Sequence, residues 1–278
     1  MRIIRIGLLF VFLMQLGACG WSNLGAPTNS VATDVAMPAM NNFAKSQPVA
    51  VSRTNSSIAS DFIALAFQLE SGRTLPVLSR FEGPITLRAI GVAPSTMERD
   101  LRALLERLRD EAGVEIDLVG RTERANITIE FVAARVLKRS VPNAACFVAP
   151  NVSSWQEFLK SRRDGSGDWT LLRERTRMAI FLPGNVSPQE VRDCLHEELA
   201  QALGPVNDLY HLTDSVFNDD NFHTVLTSFD MLILRVFYDA QLRSGMTVQT
   251  VTSRLPDILA RVNPAGGTVQ RMSPNVTP

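Results

Sequence analysis

The stretch 186–208 constrains this chain more than any other. Ser187 is a good N-cap, Pro188 suits the first helical position and Glu190 completes a capping box. Gly204 followed by Pro205 is a stop signal. On a wheel of about 100° per residue, Val191, Leu195, Leu199 and Ala202 form an apolar stripe. Glu198 falls at the edge of that stripe, between Val191 and Cys194 and near Gln201. His196 lands on the far side with Arg192 and Asp193, so the wheel predicts that it faces solvent. A buried glutamate costs several kcal/mol unless it is hydrogen-bonded or protonated. Glu198 is therefore read either as a satisfied structural group or as a functional one.

The flanking pattern predicts the fold class. Residues 60–69 read as a short capped helix and 85–90 as a strand. Ser95 with Glu98 predicts a capping box opening a helix to Ala112, ended by Gly113. Strands follow at 114–119 and 126–132, then an edge strand at 146–149, a helical turn at 155–159 and a strand at 177–182. Beyond the polar helix come a long loop, a large helix at 229–242 and a last helix at 247–260 broken at Pro256. This order predicts an α+β domain, a mixed and mostly parallel sheet packed by helices. Other α+β topologies fit the same pattern.

The N-terminus reads as an export signal. Arg2 and Arg5 precede an apolar run at 6–14 that is too short to span a membrane as an ordinary helix. The signal ends in Leu16, Gly17, Ala18 and Cys19, which resembles a bacterial lipobox and predicts lipid on Cys19. Gly20, in place of an aspartate, permits outer-membrane delivery. The chain is thus divided into a signal peptide (1–18), a flexible tether (19–59), one domain (60–262) and a disordered tail (263–278). A lipid-anchored, periplasm-facing protein of the cell envelope is expected, with the membrane as one partner.

Basic and acidic side chains balance at 28 each, which disfavours nucleic acid as a partner. Two basic groups, Lys160 with Arg162 and Arg163, and Arg173 with Arg175 and Arg177, are interrupted by Asp164 and Glu174 and read as solvated faces. With Cys19 lipidated, Cys146 and Cys194 remain as a pair, and a disulfide is the default in an oxidising compartment. Closing that loop contributes about 4 kcal/mol in the chain-entropy picture. No nucleophile elbow, phosphate loop or dinucleotide fingerprint is present.

The run Glu197, Glu198, Gln201, Gly204 and Asn207 has the spacing of the metzincin zinc-protease motif, His-Glu-x-x-His-x-x-Gly-x-x-His. The resemblance implies that the domain at 60–262 is zincin-like. It places Glu198 at the general-base position, and Glu197, Gln201 and Asn207 (or its neighbour Asp208) at the metal-ligand positions. All three ligand histidines are replaced. Oxygen donors suit hard cations better than zinc, and glutamine is not a usual zinc ligand. No cofactor is predicted, and zinc is disfavoured. The alternative start at His196 and Glu197 lacks its second histidine, because Ala200 stands there. His211 and His223 read as scattered surface residues, and the acidic loop at 214–221 lacks EF-hand spacing.

More narrowly, the sequence resembles an uncharacterised bacterial family, domain of unknown function 2927, over roughly residues 60–250. The resemblance rests on Cys146, on residues 198–204, on Asn207 and Asp208, on residues 214–219, and on Tyr238, Asp239, Gly245 and Met246. It implies no reaction. The leading expectation is an envelope lipoprotein with a degenerate zincin-like domain, acting as a non-catalytic binding module for a polypeptide or a cell-wall component. The rival is an atypical peptidase-like hydrolase with Glu198 as general base. A third reading makes the polar cluster purely structural.

Overall fold

A computed structural model describes residues 51, 53–218 and 223–267 of the chain. The expected signal, Cys19 and nearly all of the tether lie outside the described residues, as does the tail beyond residue 267.

Five strands form one sheet: β1 (Ile85–Ile90), β2 (Ile116–Leu118), β3 (Ile127–Val132), β4 (Phe147–Pro150) and β5 (Met178–Pro183), in the order β2-β1-β3-β5-β4. Four strands are parallel, and β4 closes one edge antiparallel to β5, with Phe147 opposite Phe181 and Pro150 opposite Met178. The mixed, mostly parallel sheet and its antiparallel edge strand agree with the sequence pattern.

β5 shows why two layers cover the sheet. All six of its residues are buried, and successive side chains point to opposite faces. Met178, Ile180 and Leu182 join the large core with α1 (Asn55–Phe67), α2 (Met97–Arg107), α5 (Pro188–Leu203), α6 (Ser228–Phe237) and α7 (Val248–Val262). Ala179 and Phe181 face a smaller cluster built by Leu137 of α3 (Ala134–Ser140) and by Trp155 and Phe158 of α4 (Trp155–Asp164). Phe147 closes that cluster from the edge strand, its ring 4.8 Å from Phe158 and 5.1 Å from Phe181. Among the described residues no helix is long and apolar enough to cross a membrane.

Several local expectations change. α1 starts at Asn55, where the Thr54 hydroxyl caps the Ser57 N–H, and not at Ser60. The Ser95–Glu98 capping box does not form; Thr96 is the N-cap and Glu98 pairs with Arg102 at 2.8 Å. A side chain that reaches an i+4 partner is lost to the cap. α2 runs on through a π-helical turn, Leu108–Ala112, to Gly113 in the left-handed region, as Gly113 predicted. α3 carried no sequence signal, since it has no side-chain cap and buries Leu137 alone. The turn at 155–159 is a ten-residue helix with Ser154 as its cap. α7 passes through Pro256 without a break. Val251, Leu255, Ile258 and Leu259 are buried in the core, and that packing offsets the hydrogen bond that proline removes.

Candidate functional site

α5 lies against β5 and β4 on one side and against α2 on the other. Its start is as predicted. Ser187 Oγ accepts from the Glu190 N–H at 3.2 Å, and the Ser187 N–H donates to Glu190 Oε2 at 3.0 Å. Its end is held from far away in sequence. Arg175, fully buried, donates to the carbonyls of Gln201 and Gly204 and to that of Ser79. The Tyr238 hydroxyl donates to the Leu203 carbonyl at 3.0 Å. A helix C-terminus leaves carbonyls without intrahelical partners, and a cation there also meets the negative end of the helix dipole. Burial pushes the Arg175 guanidinium down to about 10, still charged at neutral pH. The expectation that the Arg173 to Arg177 group is a solvated face therefore fails at Arg175. Charge alternation along a loop does not reveal that one side chain has helix carbonyls to satisfy. Gly204 is required by contact: a Cβ there would sit 2.8 Å from the Phe237 ring of α6.

The wheel placed Glu198 correctly and His196 wrongly. Glu198 is 4% exposed. His196 is 1% exposed, and its Nδ1 accepts from the Leu226 N–H at 3.2 Å. Burial, with Arg107 and Arg192 nearby, pushes its imidazole down to about 3, so it is neutral. Arg192 is also buried and pairs with Asp100 of α2 at 3.5 Å. A single apolar stripe assumes one partner for a helix. α5 has two, and its second side is buried by polar pairing that hydropathy does not register.

On the sheet side, a cleft of about 630 Å³ opens onto α5. Glu197, Glu198 and Gln201 line it from the helix. Glu70 and Ser71, just beyond α1, line it from one side, and Val206 and Asp208 from the turn after α5. Residues 143–148 form the opposite wall and lead into the edge strand β4. Leu69 and Trp169 complete the lining. Glu197, Glu198, Gln201 and Asp208 are thus brought to one place. Asn207 is not; it is buried, and its amide donates to the Ala64 carbonyl at 3.2 Å, tying the turn to α1. Glu70 is the member that sequence reasoning missed. Nothing local marks it, because only the packing of α1 brings it to α5.

Gln201 sits between two acids, its Nε2 3.5 Å from both Glu70 Oε1 and Glu197 Oε1. The amide nitrogen must face carboxylates, since two acceptors cannot bond each other. Its donor end is therefore directed at Glu70 and Glu197. Among the described residues, no group of three or more His, Cys, Asp or Glu side chains is arranged to hold a metal ion.

Cys146 and Cys194 are bridged, with Cα atoms 5.9 Å apart, so the expected disulfide is present. It ties the wall of the cleft to α5. The other two histidines lie away from the cleft. His211 Nε2 meets Asp61 at 2.8 Å, and His223 Nε2 lies 3.1 Å from the Thr213 carbonyl oxygen. In the acidic loop, Asp214 pairs with Arg53, while residues 219–221 lie outside the described residues.

The sequence profile of a family described as "Protein of unknown function (DUF2927)" matches residues 55–257. No curated protein matches the chain.

Proposed function

Since the chain belongs to the domain of unknown function 2927 family, whose description assigns no activity, we propose from the site itself that it is a lipid-anchored envelope protein with a degenerate zincin-like domain that binds a polypeptide or cell-wall partner without cleaving it. One observation carries this reading: Glu197, Glu198, Gln201 and Asp208 converge on a cleft walled by the entry to an antiparallel edge strand. An open sheet edge beside a cleft can receive an extended chain by adding a strand. Support for the zincin likeness comes from strand order and from the position of α5 directly after β5, with Gly204 at its end. Support for loss of metal chemistry comes from Gln201, whose amide donor is aimed at two acids where a metalloprotease has a histidine.

The test uses purified full-length protein. Metal content is measured, then cleavage of a peptide library, then binding of unstructured peptides and of peptidoglycan fragments. Binding of one class without turnover is expected. Ser71→Trp, on the exposed rim of the cleft, should abolish that binding while leaving the fold intact. Binding unaffected by this plug would place the partner elsewhere and overturn the reading. The anchor is tested separately: incorporation of labelled fatty acid should disappear in Cys19→Ser.

The hydrolase reading is favoured by one observation of its own, that Glu198 lines the cleft and is not sealed beneath the sheet. In that reading Glu198 activates water while Glu197, Gln201 and Asp208 orient the substrate. Peptide cleavage that is lost in Glu198→Gln, with binding retained, would establish it in place of the first.

A further inference from the structure

Residues 142–145 form a strap with open space on both sides. Residues 143–145 line the cleft on one face, and the whole strap lines a second cavity of about 410 Å³ on the other, beside Glu190, Asp193 and Cys194 of α5. Pro142, Asn143 and Ala145 are exposed and Ala144 is half-buried. Among the described residues, the strap makes a single hydrogen bond, from the Ala144 N–H to the Val141 carbonyl at 3.2 Å, and that bond is local. Its ends run on from α3 and into β4, which pairs with β5, and its covalent tie to α5 is the bond from Cys146 to Cys194. Segments with few buried contacts and few backbone hydrogen bonds open at low free-energy cost.

We propose that the Cys146–Cys194 disulfide is a redox latch on the cleft wall. Oxidised, it holds the strap against α5 beside Glu197 and Glu198; reduced, it frees the strap and widens the cleft. The two cysteines differ in access: Cys146 is partly exposed and lines the cleft, whereas Cys194 is 7% exposed and borders the second cavity. A dithiol reductant attacks as a thiolate at the Cys146 sulfur and expels the Cys194 thiolate, which takes up a proton. The second thiol of the reductant, as its thiolate, then attacks its own sulfur in the mixed disulfide and releases Cys146 as a thiolate, which is protonated in turn. Two cysteine thiols form and the reductant leaves as a disulfide, so two electrons and two protons are transferred. The bridge adds stability, but α5 is also held by Arg175, Tyr238 and its packing on the sheet, so the reduced chain keeps its fold at lower stability. The latch concerns the wall of the cleft and stands whatever the cleft binds.

The experiment reads the protein alone, by hydrogen–deuterium exchange of the full chain before and after dithiothreitol, with free thiols counted in parallel. Exchange at the Ala144 N–H, the hydrogen-bonded amide of the strap, should rise at least tenfold on reduction, with the interior of α5 and β5 unchanged. A bridge that resists dithiothreitol under native conditions would overturn the latch. So would a strap whose exchange changes less than twofold, or loss of protection throughout α5 and the sheet, which would make the bridge a staple of the whole fold. The Cys146→Ser, Cys194→Ser double variant should reproduce the reduced pattern. Failure of that variant to fold, together with global loss of protection in the reduced wild type, would overturn the proposal.

Discussion

α5 carries two kinds of buried or half-buried polar group, and they behave differently. Arg192, His196 and the C-terminal carbonyls are tied into the fold, to Asp100, to the Leu226 N–H, and to Arg175 and Tyr238. Glu197, Glu198 and Gln201 face a cleft. Both sets are unfavourable to bury without partners. Only the second set has room in front of it for another molecule. Polar burial on a helix therefore marks a place to look, and the space beside the group decides whether it is a site.

The largest expected effect lies in the tied set. Arg175→Met removes the donor to three buried carbonyls, each of which costs about 1–3 kcal/mol when left without a partner. A loss of about 4 kcal/mol or more is expected in urea unfolding. A loss under 1 kcal/mol would mean that the end of α5 does not need the guanidinium. Gly204→Ala comes next. Its methyl meets the Phe237 ring at 2.8 Å, so α6 must shift, at about 1–3 kcal/mol. Ligand binding should weaken with it if the turn carrying Asp208 moves.

His196 gives a pH signature. Its folded value, near 3, lies below the unfolded value of about 6.5. The stability it contributes is complete above about 6.5 and is lost as pH falls towards 3, by about 1.4 kcal/mol per pH unit. Asp230, pushed up to about 6 by burial, acts in the opposite sense as pH rises through the same range. The comparison is therefore between variant and wild type at each pH. His196→Phe should flatten the acid limb, narrowing the stability change between pH 7 and pH 4 by about 3 kcal/mol. An unchanged slope would show that His196 is protonated in the fold. Glu198→Gln should have the smallest effect on stability, within about 1 kcal/mol of wild type, because its side chain borders open space. A loss as large as that of Arg175→Met would move Glu198 into the tied set and favour the purely structural reading of the cluster.

Much of this fold is legible in local pattern. The alternation in β1 and β3, the apolar run of β5, the capping box at Ser187, and the stops at Gly113 and Gly204 all mark real elements. These signals work because strand pleat, caps and the left-handed glycine at 113 are properties of a few adjacent residues, whereas Gly204 ends α5 against the Phe237 ring. The Ser95 box failed because Glu98 had a better partner in Arg102, and α3 was missed because it has no cap at all.

The site divides in the same way. Spacing along one helix sufficed to group Glu197, Glu198 and Gln201, since a helix fixes which side chains share a face. Pairing Cys146 with Cys194 needed only counting. The sequence by itself thus determined the helix, its polar face and the bridge. Only the tertiary structure decided that His196 and Arg175 are buried, that Asn207 turns to α1 while Asp208 reaches the cleft, and that Glu70 joins it. Each of these depends on a contact between residues far apart in the chain. Such contacts form only where whole elements pack, and no local propensity encodes the partner that a side chain will meet.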